Sequence, residues 1–236
     1  MVEILLSSYQ TFLVAALLTV KLTLVALLLG CGFGLVFAFF RISKRKSLRY
    51  LANLYITIVR GTPLIVQIAI LYFGITNIVT LSQFWAGALA LAIHNGAYIA
   101  EIFRGSIQSV DRGQMEAARS LGMSYPLAMR RIILPQAFKL AIPPLGNQFI
   151  IALKDSSLVA YVGMSELWGA GLSEAASNFK QLDTYMVVGL YYLALVMIFT
   201  YLVEKLEARM GGKKKRKQFS YDGKSSSPKQ GNVNLS

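Results

Sequence analysis

Polar side chains interrupt the apolar runs of this 236-residue chain at three places, and their types suit the binding of a small polar solute. The first place is Arg60-Gly61-Thr62-Pro63, with Gln67 one helical turn further on. A Gly-Thr-Pro sequence predicts a break in a helix, which frees backbone groups that protein or water must satisfy. Broken helices inside a membrane are where transporters commonly bind solute. A simple kink, with Arg60 paired or reaching towards the membrane surface, is the alternative.

The second place is a polar stripe on a predicted helix. His94, Tyr98 and Glu101 lie at positions i, i+4 and i+7, so they share one helical face. Ionisable side chains inside a bilayer are costly and tend to face a cavity, which makes this stripe a candidate solute pathway. A hydrogen-bonded packing role for His94 and a salt bridge from Glu101 to Arg104 are the alternatives.

The third place lies near the end of a later apolar run. Its candidate pathway side chains are Asn147, Lys154, Asp155 and Ser156. Lys154 and Asp155 are adjacent and opposite in charge, so they could face the carboxylate and the ammonium of a zwitterion. An internal ion pair at the helix end explains the same two residues equally well.

A polar, capped segment separates two strongly apolar runs in the middle of the chain. Asp111 and Ser124 can cap two short helices, and Gly122 suits a left-handed stop between them. Pro135 disfavours a helical conformation at Leu134 and predicts a break there. The segment looks like a docking element, and its candidate contact residues are Gly113, Glu116, Ala117, Ala118, Leu121 and Gly122. An ordinary helical hairpin that only connects two membrane helices is the alternative.

The composition predicts a membrane protein, because 55% of the residues are hydrophobic and only 15% are charged. Crossing an apolar core of about 30 Å takes about 20 helical residues. Five segments meet that length, at about residues 12–40, 50–73, 84–103, 133–154 and 185–203. The first is too long for one perpendicular span. Lys21 interrupts it, so residues 1–20 are predicted to form an outer or interfacial segment; one long tilted helix is the alternative.

Basic residues near the helix ends predict the orientation. They concentrate in three connections predicted to share one side: Arg41, Lys44, Arg45, Lys46 and Arg49; Arg104, Arg112, Arg119, Arg130 and Arg131; and the tail from Lys205 onward. The opposite side has Lys180. The N-terminus is therefore predicted outside, and the C-terminus and the docking segment inside. The net charge of +13 is then mainly a topology signal, which argues against nucleic-acid binding.

Residues 208–236 are predicted to form a basic, disordered cytoplasmic tail that can touch anionic membrane lipid.

Several motifs resemble one family in order and spacing. They are Arg60-Gly61-Thr62-Pro63-Leu64, the run from Ala97 to Gly105, Glu116-Ala117-Ala118 followed by Gly122, Leu134-Pro135-Gln136-Ala137, and Lys154-Asp155-Ser156-Ser157-Leu158. Together they are similar to the integral membrane permease subunits of ATP-binding-cassette (ABC) importers for polar amino acids. The resemblance implies an all-α membrane fold of about five transmembrane helices, the MetI-like type I permease core, over about residues 21–207. It also implies a multi-pass protein in the cell membrane of a prokaryote.

The resemblance also implies the partners. These are two copies of an ABC ATPase subunit, a second permease subunit that is identical or homologous, an extracytoplasmic solute-binding protein and an amino acid substrate. The Glu-Ala-Ala loop, at about residues 105–132, would couple this subunit to the ATPase. The sequence contains no Gly-x-x-x-x-Gly-Lys-Ser/Thr phosphate loop, so we expect no enzyme activity and no cofactor in this chain, with ATP and Mg²⁺ on the partner ATPase. The alternatives are an ATP-independent channel or ion-coupled carrier and a scaffold that recruits a partner.

Overall fold

The computed structural model describes residues 1–75 and 78–209, and within these residues every regular element is a helix. Its α-helices, in chain order, are α1 (Val2–Ser7), α2 (Tyr9–Ile42), α3 (Lys46–Gly61), α4 (Leu64–Ala69), α5 (Gln83–Gln108), α6 (Arg112–Ser120), α7 (Tyr125–Ala128), α8 (Leu134–Asp155), α9 (Leu167–Asn178) and α10 (Gln181–Arg209). Short π-helical turns, Ile70–Gly74 and Met129–Ile133, follow α4 and α7, and a 3₁₀ helix, Ser156–Val162, follows α8. The predicted basic tail falls almost wholly outside the described residues.

Helix α5 is the centre of the molecule. It is the most buried of the apolar helices, and it packs along α2 on one side and α8 on another. Small residues allow the close approach of α2 and α5. A Cβ atom added at Gly30 would lie 3.1 Å from the Ala92 carbonyl oxygen, and one added at Gly34 would collide with the side chain of Ile99. The Gly-x-x-x-Gly spacing in α2 is thus a packing face.

Helix α2 runs for 34 residues without interruption, so the structure has the one-helix alternative rather than a break at Lys21. The Lys21 ammonium lies 5.5 Å from the centroid of the Phe84 ring, a distance typical of a cation–π contact. This contact and the exposure of the residue explain why a lysine does not end the helix. The short helix α1 packs beside the start of α10, where Lys180 forms an ion pair with Glu3 at 2.9 Å.

In the described residues, three helices are long and apolar enough to span a membrane: α2, α5 and α10. The pair α3 and α4 adds a fourth if it counts as one span, but its two parts meet at an angle of 104°. Helix α8 has 22 residues and is long enough to span a membrane. Polar side chains such as Lys139 and Asn147 make its mean hydropathy too low for it to count among the apolar helices. A fifth span at α8, and the inside–outside orientation, stay predictions.

The predicted break at Leu134 is wrong. Leu134 has helical angles, φ −59° and ψ −43°, and the chain stays helical from α7 into α8. Pro135 lies in the first turn of α8, where a missing N–H costs least. The π-helical turn Met129–Ile133 immediately before it changes the hydrogen-bond register and so accommodates the proline.

Candidate functional site

The predicted break in the second apolar run is present between α3 and α4. Thr62 and Pro63 are extended, with ψ angles of 144° and 138°, because a residue before proline avoids the helical region. The Gln67 side-chain nitrogen lies 2.8 Å from the Val59 carbonyl and 2.9 Å from Thr62 Oγ1, to which it donates. Thr62 Oγ1 in turn donates to the carbonyl of Ile58 at 2.9 Å. Side chains of the break itself therefore satisfy backbone groups that the break frees.

Helix α5 brings its polar stripe against this break. His94 Nδ1 lies 3.3 Å from Gln67 Oε1, and the rings of His94 and Tyr98 are 5.3 Å apart. The Arg60 guanidinium lies 4.9 Å from the centroid of the Tyr98 ring, which is a cation–π contact. We call Arg60, Thr62, Gln67, His94 and Tyr98 the break cluster. It joins two of the three polar places identified in the sequence into one site.

The break cluster is only partly covered by the rest of the described chain. Arg60 and Thr62 are exposed, whereas Gln67, His94 and Tyr98 are half-buried. Thr62 and Gln67 also line a mainly apolar cavity of about 220 Å³ beside the bend. Among the residues described, no carboxylate forms an ion pair with Arg60. Its guanidinium is therefore free to bind an anionic group.

Glu101 is not part of the break cluster, although it shares its helical face with His94. Its carboxylate is held by two arginines: Arg104 Nη2 donates at 2.7 Å and Arg41 Nε at 3.1 Å. The salt bridge to Arg104 was one of the two sequence interpretations. The contact with Arg41 on α2 was missed, because no sequence pattern relates residues 60 positions apart.

Among the described residues, no hydrogen bond or ion pair links the third polar place to the break cluster. Asn147 and Lys154 are exposed, Asp155 is half-buried, and the buried Ser156 donates to the Leu153 carbonyl at 2.7 Å. The described part of the chain has no ion pair between Lys154 and Asp155, so the structure does not form the internal pair considered above. Their contact with a zwitterion stays a prediction.

The docking segment folds as a helical hairpin. Asp111 caps α6, its side chain accepting from Gly113 N at 2.7 Å, and Gly122 has a φ of +81°, which only glycine adopts easily. Ser124 stands at the cap position of α7 but its side chain makes no capping hydrogen bond. Beneath the hairpin, Ile133 belongs to a buried apolar cluster that joins it to α8.

The faces of α6 differ. Ala118 is only 4% exposed and packs inwards, whereas Leu121 is 85% exposed. Gly113, Glu116, Ala117 and Gly122 are exposed as well. A surface of small and apolar side chains, with the acidic Glu116 among them, thus projects from the molecule on a hairpin anchored from below. We call Glu116, Ala117 and Leu121 the docking face.

Glu166 is a buried ionisable residue that the sequence analysis missed. It precedes α9, is fully buried, and its carboxylate accepts from Gly169 N at 2.8 Å and from Tyr192 Oη at 3.0 Å. Burial raises the pKa of this carboxyl above its ordinary value, although the hydrogen bonds oppose that shift. The contacts join α9 to α10, and Thr19 Oγ1 at 3.4 Å adds α2. An acidic residue before an apolar helix is a capping signal that could have found it.

No group of three or more His, Cys, Asp or Glu side chains that could hold a metal ion occurs within residues 1–75 and 78–209. An apolar helical bundle with a polar break and an anchored surface hairpin is the architecture of a multi-pass membrane protein.

Comparisons with known proteins specify the family. Residues 30–212 match the family described as the inner membrane component of binding-protein-dependent transport systems. The chain is 33% identical over 195 residues to the arginine transport system permease protein ArtQ of Bacillus subtilis, covering 82% of this chain and 89% of ArtQ. It is 39% identical over 211 residues to the probable glutamine ABC transporter permease protein GlnM of the same species, covering 89% and 97% of the two chains.

A solved structure agrees with these relatives. The crystal structure of an amino acid ABC transporter with histidines aligns with a TM-score of 0.82 and 37% identity, covering 87% of this chain and 96% of that one. The chain belongs to the family of inner-membrane permease subunits of amino acid ABC importers, and it has the MetI-like fold of that family. It is accordingly a multi-pass protein of the plasma membrane.

Proposed function

We propose that this permease subunit carries a polar amino acid past the break cluster and takes its energy from an ATPase bound at the docking face. The observation that supports this most directly is Arg60: an exposed cation at a helix break, packed on Tyr98 and without an ion-pair partner among the described residues. An amino acid presents a carboxylate for such a group, and a hydrogen bond to a charged partner is among the stronger ones available.

The neighbours of Arg60 suggest the side chain of the solute. Gln67 and His94 offer neutral hydrogen-bonding groups, and Glu101 is already paired with two arginines. A cationic side chain would therefore find no free carboxylate within the break cluster. The cluster favours an amino acid with a neutral polar side chain, such as glutamine, which is also the solute in the name of one relative. Lys154 and Asp155 are candidates for a second contact further along the pathway.

Energy coupling would act through the docking face. ATP and Mg²⁺ would bind to a separate ATPase, since this sequence has no phosphate loop. Two ATPase copies would receive the docking faces of two permease subunits, identical or homologous, and a solute-binding protein outside the membrane would deliver the amino acid. Because the buried Ala118 and Ile133 anchor the hairpin, movement of the docking face would be passed to α8 as a unit.

The proposal is tested with the complete importer in proteoliposomes, supplied with binding protein outside and ATP inside. Uptake of labelled glutamine, arginine and glutamate is compared at equal concentration. We expect ATP-dependent uptake of glutamine above that of the charged amino acids. Equal uptake without ATP or without the ATPase would refute the coupled import, and ATP-dependent uptake of arginine alone would refute the assignment of the neutral side chain.

A further inference from the structure

A groove between the end of α2 and the docking hairpin is not used by the transport mechanism. It has a volume of about 590 Å³, and its apolar wall includes Phe39, Ile42 and Leu134. Phe39 is 42% exposed, so protein covers this wall only in part. Helix α2 ends at Ile42, which places the groove where an apolar helix gives way to polar chain.

Two cations line the same groove. Lys44 follows the end of α2, and Arg130 lies in the π-helical turn between α7 and α8. Both side chains are exposed, and neither forms an ion pair in the part of the chain that the structure describes. The groove lining contains no acidic residue, so its cations can meet an anion from outside the chain.

We infer that this groove binds one anionic phospholipid, with the phosphate between Lys44 and Arg130 and an acyl chain along Phe39 and Leu134. An apolar wall in the same groove as two cations matches a lipid, which carries its anion at the end of an apolar chain. The acidic surface of a protein partner would match the cations but not the apolar wall. The bound lipid would contact both α2 and the docking hairpin. The inference does not depend on which amino acid the importer carries.

The occupant is identified by photo-crosslinking in the complete importer. Phe39 is replaced by p-benzoylphenylalanine, and the importer is placed in nanodiscs of equal parts phosphatidylglycerol and phosphatidylcholine with matched acyl chains. Mass spectrometry of the irradiated permease then identifies the product. Each cation near a charged lipid favours it by roughly fivefold, so we expect at least about a fivefold excess of phosphatidylglycerol adduct.

Charge variants test the role of the two cations. Lys44→Gln with Arg130→Gln should lower the excess to about one, whereas Lys46→Gln with Arg49→Gln removes the same charge outside the groove and should preserve it. A cross-link to the second permease subunit or to the ATPase would overturn the inference. So would equal capture of the two lipids, absence of a lipid adduct, or an excess that survives in the Lys44 and Arg130 double variant.

Discussion

At the scale of single residues, Arg60 and Glu101 show how two charged side chains on facing helices come to differ in role. Glu101 forms ion pairs with Arg41 and Arg104. Arg60 instead stacks one face of its guanidinium on the Tyr98 ring and is otherwise exposed. The paired charge is suited to holding helices together. The unpaired charge is suited to binding a solute.

Replacing Arg60 tests the second role. Arg60→Gln should lower the amino acid uptake rate by about tenfold or more, because a hydrogen bond to a charged group contributes about 1.5–3 kcal/mol. Uptake is measured in proteoliposomes at saturating binding protein, with complex assembly checked by size-exclusion chromatography. Arg49→Gln, at the other end of α3, is the control and should transport normally. Normal uptake by the Arg60 variant would remove this residue from the pathway.

Replacing Glu101 should instead affect stability. Glu101→Gln leaves Arg41 and Arg104 without their carboxylate, which should cost about 1–2 kcal/mol for a partly exposed network. That corresponds to a fall of about 2–8 °C in the apparent Tm of the detergent-solubilised protein. Glu204→Gln, on an exposed part of α10, should leave the Tm unchanged. A changed preference among amino acids without a lower Tm would contradict the structural role.

At the scale of helices, the contact between α2 and α5 depends on glycines on one face of α2. Gly34→Val should destabilise the protein by about 1–3 kcal/mol, because the added atoms collide with Ile99. Gly32→Val is the matched control on the same helix, since a Cβ atom there meets nothing within 4 Å. The apparent Tm of both variants in detergent is the measurement. An equal effect of the two substitutions would show that helix propensity, and not packing, determines the result.

Local signals predicted the helices well. The break after Gly61 follows from Pro63, and the caps at Asp111 and Gly122 follow from residue type. The break predicted at Leu134 failed because a π-helical turn accommodates Pro135, and such a turn has no simple sequence signature. A 104° bend between α3 and α4 also exceeds what a Gly-Thr-Pro sequence alone can specify.

At the scale of the whole molecule, the unpredictable part of the site is the contact between distant segments. His94 meets Gln67 across 27 positions, and Glu101 meets Arg41 across 60. Helical periodicity placed His94 on a polar face, but only the packing of α5 against α4 determines what that face contacts. For the same reason the sequence left the roles of Glu101 and Lys154 open, and the structure shows ion pairs only for Glu101.

If import depends on movement received at the docking face, a charge placed in that face should stop it. The most direct measurement is amino acid uptake by proteoliposomes of the complete importer carrying Ala117→Asp, with ATPase retention assayed by co-purification. Ala208→Asp, the same substitution at an exposed position on α10, is the control. We expect loss of ATP-dependent uptake in the Ala117 variant and normal uptake in the Ala208 variant. Normal uptake by the Ala117 variant with the ATPase still bound would contradict it.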